Sequence, residues 1–123
     1  MNVSELTLNF SSGVPIYRQI VQLLSGKILS GALSPGEKIP SIRDVTAELN
    51  VNPNTVAKAY RELELAGLIE TRRGMGTFVT RDPARVAALR EEMARQAVDG
   101  FLKQLGALGI SRQEAAQMIL KEE

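Results

Sequence analysis

Asn52, Asn54, Thr55 and Lys58 put two amides, a hydroxyl and an ammonium within seven consecutive residues, and Arg72-Arg73-Gly74-Met75-Gly76 follows a little further on. These groups suit recognition. An asparagine amide pairs bidentately with adenine, a threonine meets a thymine methyl or a phosphate, and a lysine neutralises a phosphate. Arg43 adds a further cation upstream. Glycines beside Arg72 and Arg73 let a backbone run close to a sugar-phosphate chain, and arginine in such a tip suits insertion into a minor groove.

Bond-making chemistry is poorly supplied. The 123 residues include no cysteine and no histidine, which removes disulfides, thiol nucleophiles, imidazole bases and the usual zinc-ligand sets. Carboxylate, Lys, Tyr or Ser chemistry remains. Glu62 and Glu64 are the obvious carboxylates, but two residues apart on a helix they point in different directions and do not share a site. No cofactor or metal is implied. With 44% hydrophobic and 24% charged residues the chain should fold, and at this length it holds one compact domain plus a short accessory element. A formal charge of +1 means that any nucleic-acid surface must come from local clustering of Lys and Arg. The start, MNVSELTLNF, lacks a basic segment followed by an apolar run, and no stretch approaches the roughly 18 apolar residues of a membrane span, so a cytoplasmic location is expected.

The elements that would position these residues are legible from periodicity and punctuation. Residues 6–10, LTLNF, alternate apolar and polar, which suits a brief strand or an arm lying on the domain. Ile16, Ile20, Leu23, Leu24 and Ile28 predict a helix over about 15–30, opened by Pro15 and stopped at Gly31. SPGEKIPS, 34–41, reads as a turn around Pro35-Gly36. Ser41 with Asp44 forms a capping-box pattern for a helix over 41–49, whose apolar face is Ile42, Val45 and Leu49. Asn52 caps the next helix and Pro53 takes its first position; Val56, Ala59, Tyr60 and Leu63 form its stripe, and Gly67 ends it. Val51 fills the gap between these two helices, giving a helix-turn-helix. Residues 68–71 and 77–80 are β-prone and flank the glycine-bearing tip, giving a hairpin. A hairpin after a helix-turn-helix makes a winged helix.

From Asp82-Pro83 the composition shifts to Ala, Leu, Arg and Glu, with Val86, Leu89, Met93, Ala97, Phe101 and Leu105 at intervals of three and four. That stripe predicts one long amphipathic helix, too apolar to stay exposed, and a second subunit is its natural cover. Ser111 with Glu114 opens a last helix over 111–121. The expected organisation is therefore a mainly α chain with a small β-hairpin wing: a winged helix-turn-helix domain over 1–81 and a two-helix dimerisation tail over 82–123.

Plainer readings compete for several residues. Asn52 and Thr55 can serve only as caps, Arg43 can pair with an acid on a solvated face, and Tyr17 and Tyr60 suit packing better than base stacking. A lone Gly-x-Gly at 74–76 is weak support for nucleotide binding. A winged helix that contacts protein rather than DNA is the main rival reading, and the Asn, Thr, Lys and Arg set argues against it.

The stretches PIYRQI, LSPGEKIPSIRDV and VNPNTVAKAYRELELAGLIETRRGMGTFV together resemble the DNA-binding domain of the GntR family of bacterial transcription regulators, continuously over about 14–80. The short helical tail is similar to the YtrA subfamily, whose two-helix C-terminal part serves dimerisation. The resemblance implies a homodimeric regulator, a repressor rather than an activator, on a double-stranded, inverted-repeat operator, with no enzymatic activity. It also implies DNA contacts by Arg43, Asn52, Asn54, Thr55, Arg73, Gly74 and Gly76. Many relatives carry arginine where this chain has Pro53 and a basic residue where it has Ala57, so base preference does not transfer. The tail is too short to enclose a sizeable pocket, and a small-molecule effector would bind between domains or subunits.

Overall fold

The computed structural model describes residues 1–122, and its elements follow from the punctuation of the chain. Helix α1, Ile16–Leu29, starts behind Pro15 and buries Ile20, Leu24 and Ile28, one residue per turn of a single face. Helix α2, Ile42–Leu49, is capped by Ser41, whose hydroxyl accepts from the Asp44 amide at 3.0 Å. It closes at Asn50, the one non-glycine residue with positive φ among the described residues. Helix α3, Pro53–Leu65, has Asn52 as cap, its Oδ1 accepting from the Asn54 amide at 2.8 Å, and proline at its first position, where no intrahelical donor is lost. Gly67, at φ +80°, turns the chain out of the helix.

A three-stranded antiparallel sheet follows the order β1-β3-β2. Strands β2, Ile69–Arg72, and β3, Gly76–Val79, form the expected hairpin, in register Ile69 to Val79 and Arg72 to Gly76. Strand β1, Lys38–Ile39, lies inside the segment expected to be only a turn, and pairs Lys38 with Phe78 and Ile39 with Thr77. Ile39 and Val79 thereby reach the core beside Ile20, Leu24, Val45, Val56 and Leu63. Val51 is buried between α2 and α3 as expected.

One local alternative is decided and two expectations are corrected. Residues 6–10 form no strand: Val3–Glu5 make a 3-10 turn, Leu6 is buried, Phe10 is exposed, and the Gln19 side chain binds both the amide and the carbonyl of Asn9. Alternation alone did not supply a partner strand, and the segment lies as an arm. At α2 only half of the capping box forms among the described residues, since Asp44 returns no bond to Ser41. Ile42, assigned to the apolar face, is exposed, and Val45 is the one fully buried residue of this short helix.

One buried hydroxyl ties the sheet to the helix-turn-helix. Tyr60 donates to the Pro40 carbonyl at 2.6 Å, across twenty residues of chain. Burial, with a smaller contribution from the Asp44 charge, pushes the phenol pKa up, so it remains a donor. Tyr60→Phe leaves that carbonyl unpaired and should cost about 1–3 kcal/mol, read as a lower urea midpoint at unchanged slope.

The chain divides into two compact units, Met1–Ala87 and the residues from Ala88 on. Helix α4, Pro83–Ala107, begins in the first and continues into the second. In the second unit Ile110 donates to the Leu105 carbonyl, Ser111 and Glu114 exchange both bonds of a capping box, and α5, Arg112–Lys121, buries Ala115. No residue of α4 is buried. No described helix is long and apolar enough to cross a membrane.

Candidate nucleic-acid interface

The sharp turn between α2 and α3 leaves the first turns of α3 facing solvent. Asn52, Asn54 and Lys58 are exposed there and Thr55 is half-buried. Asn52 uses its Oδ1 for the cap, which leaves its amide N–H groups as its outward chemistry. Lys58 is not a free-swinging cation: its Nζ lies 3.9 Å from the centroid of the Tyr17 ring, which the Arg18 guanidinium also approaches at 5.2 Å. Such contacts are worth about 0.5–1 kcal/mol at exposed sites, which biases the ammonium toward the ring without locking it there. Tyr17 thus does more than pack, and its spacing gave no hint of this because the contact joins α1 to α3.

Arg43, in the first turn of α2, is exposed and forms no ion pair among the described residues, so the solvated-pair reading does not apply to it. Arg61 was missed by reading only the start of α3. It is exposed one turn beyond Ala57, and the flanking acids are held elsewhere: Glu62 by Arg18 at 3.6 Å, and Glu64 by the Thr71 hydroxyl at 3.0 Å. A helical projection extended one more turn would have found it. The separate partners of Glu62 and Glu64 also leave them without a shared site.

The two wing arginines differ. Arg72 donates to Glu70 Oε1 through Nη2 at 2.8 Å and Nε at 3.2 Å, and its guanidinium lies 4.0 Å over the Phe78 ring. Glu70 also faces Arg81 at 3.5 Å; the Arg72 hydrogen bond, foremost, holds its carboxyl below the usual carboxylate range. Arg73 is exposed at the tip with no ion pair among the described residues. Gly74, at φ +76°, and Gly76, at φ +124°, take conformations that a side chain resists. At Gly76 a Cβ would also lie 2.8 Å from Lys38 Cε, so glycine there leaves room for the end of the lysine side chain beside the wing tip.

Among the described residues no group of His, Cys, Asp or Glu is placed to hold a metal ion. What the site offers is a projecting helix N-terminus, a glycine-bearing hairpin tip and unpaired cations, which together define a winged helix-turn-helix DNA-binding protein. The model of the bacterial regulatory proteins of the gntR family matches residues 16–79. The chain belongs to that family, and it is a transcription regulator with a DNA-binding helix-turn-helix. The repressor YtrA of Bacillus subtilis is 38% identical over 94 residues, covering 72% of each chain. A GntR family transcriptional regulator from Listeria monocytogenes superposes with a TM-score of 0.84 at 35% identity, covering 93% of this chain and 100% of that one. The AraR DNA-binding domain, solved in complex with operator ORX1, gives a TM-score of 0.52 at 31% identity over 61% of this chain and 93% of that one. The first two are named as transcription regulators, and the third as a domain in complex with an operator.

Proposed function

We propose that the protein is a homodimeric repressor that binds an inverted-repeat operator, with the start of α3 in the major groove and the wing tip at the adjacent minor groove. The observation that carries it is that Arg43, Lys58 and Arg73 stand exposed, without a carboxylate partner among the described residues, at the start of α2, on α3 and at the wing tip. Asn52, Asn54 and Thr55 lie beside them to meet base edges and phosphates, and Gly74 and Gly76 bring the wing backbone close to DNA. Met93 and Phe101 of the α4 stripe are 49% and 39% exposed, and Met118, Ile119 and Leu120 of α5 are exposed as well, which supports a second copy as their cover. The stripe of Val86, Leu89, Met93, Ala97, Phe101 and Leu105 is the proposed seam, with residues from 82 on as the dimerisation element. A repressive sense is supported by the YtrA relative, which carries that name. Selection from random duplex DNA by the purified protein should enrich an inverted repeat with half-site centres about one helical turn apart. An enriched sequence without two-fold symmetry would contradict the dimeric reading.

Within the wing the two arginines should separate. Arg73→Ala should lower the slope of log K against log salt by about 1 per subunit. Arg72→Ala should change it less, since that guanidinium is held by Glu70 and Phe78. Equal effects from the two variants would mean that Arg72 leaves Glu70 on binding.

A further inference from the structure

A DNA strand that separates a major groove holding α3 from a minor groove holding the wing has to pass between those two elements. The protein has a cleft there, of about 680 Å³, lined by Ser41 and Arg43 from the start of α2, Ala57 and Arg61 from α3, and Thr71 and Thr77 from the wing. Hydroxyls and guanidiniums are the groups that bind phosphate oxygens. Glu64 also lines the cleft, and its carboxylate accepts from the Thr71 hydroxyl. Arg43 and Arg61 outnumber it, and neither has an ion-pair partner among the described residues. Ala57 presents only a methyl group one turn before Arg61, so it leaves the guanidinium room to reach an anion in the cleft. The walls are held in place from behind, because Tyr60, which also lines the cleft, fixes the segment just before α2 through the Pro40 carbonyl.

We propose that this cleft seats a phosphodiester of the DNA backbone and that Arg61 binds it together with Arg43. The inference rests on the DNA-binding reading above. It makes Arg61 a phosphate contact, so its loss weakens binding to every sequence alike, whereas loss of a base-reading residue changes preference.

The test compares wild type, Arg61→Ala, Arg61→Lys and Asn54→Ala on the selected operator and on a scrambled duplex of equal length, across a salt series. Arg61→Ala should bind both duplexes roughly 5- to 150-fold more weakly per subunit, lower the salt slope by about 1 per subunit, and keep the operator-to-scrambled ratio. Arg61→Lys should restore the slope, because the charge is kept. Unchanged affinity and slope for folded Arg61→Ala, or a changed ratio, overturns the inference. The DNA reading fails separately: wild type would then show no preference for the operator, and Asn54→Ala would have no preference to lower.

Discussion

Ending the chain after Ala87 should leave a folded monomer whose operator affinity is lower by about 10²- to 10⁴-fold, the range lost when two linked sites act singly. The cut follows the boundary of the first compact unit rather than the start of α4. It retains Arg85, whose Nε donates to the Ala66 carbonyl at 2.9 Å and whose side chain packs against Gly67 at the end of α3. The core residues from Val3 to Val79 are all kept, so folding should persist. On the proposed reading the removed helices set two copies of α3 about 34 Å apart, one turn of DNA, so that each half-site raises the effective concentration at the other. Sedimentation of both proteins at micromolar concentration, followed by titration with the operator, checks both parts. A truncated chain that still sediments as a dimer, or that keeps full affinity, would remove α4 from the interface.

Arg43→Ala should weaken operator binding by about 1–3 kcal/mol in each subunit, and by about 2–6 kcal/mol in a dimer whose two sites act independently. The side chain is exposed and unpaired among the described residues, so its removal breaks no ion pair there and the fold should hold. Affinity is read by titration, and circular dichroism with thermal unfolding checks the fold. A folded variant with wild-type affinity would take Arg43 out of the interface.

The helix-turn-helix was readable because its punctuation is local: Asn52-Pro53 opens α3, Gly67 closes it, and Val56, Ala59, Tyr60 and Leu63 all prove buried. The wing was readable from two β-prone runs around a glycine-bearing tip. Strand β1 was not, since two residues carry no periodicity and their pairing to Thr77 and Phe78 is decided some forty residues away. Alternation in LTLNF left strand and arm open for the same reason, since a strand needs a partner that the segment itself does not report. At the proposed interface, residue types suggested a chemistry but not which cations are engaged internally. Glu70 and Arg72 share a strand face, which period two alone would show; the ring beneath Arg72 depends on the register that sets Phe78 opposite Glu70. Lys58 on the Tyr17 ring and Arg61 in the cleft depend on how helices and wing pack, which spacing along one helix does not report.

In the proposed complex α3 enters the major groove of a two-fold operator while the wing lies at the minor groove beside it. Dimethyl sulfate footprinting of the selected operator tests this directly, because the reagent methylates guanine N7 in the major groove and adenine N3 in the minor groove. Guanines should be protected in two half-sites about one helical turn apart on one face of the duplex, flanked by adenine protection where each wing lies. Saturating protein that leaves the guanines of both half-sites as reactive as in free DNA would contradict it.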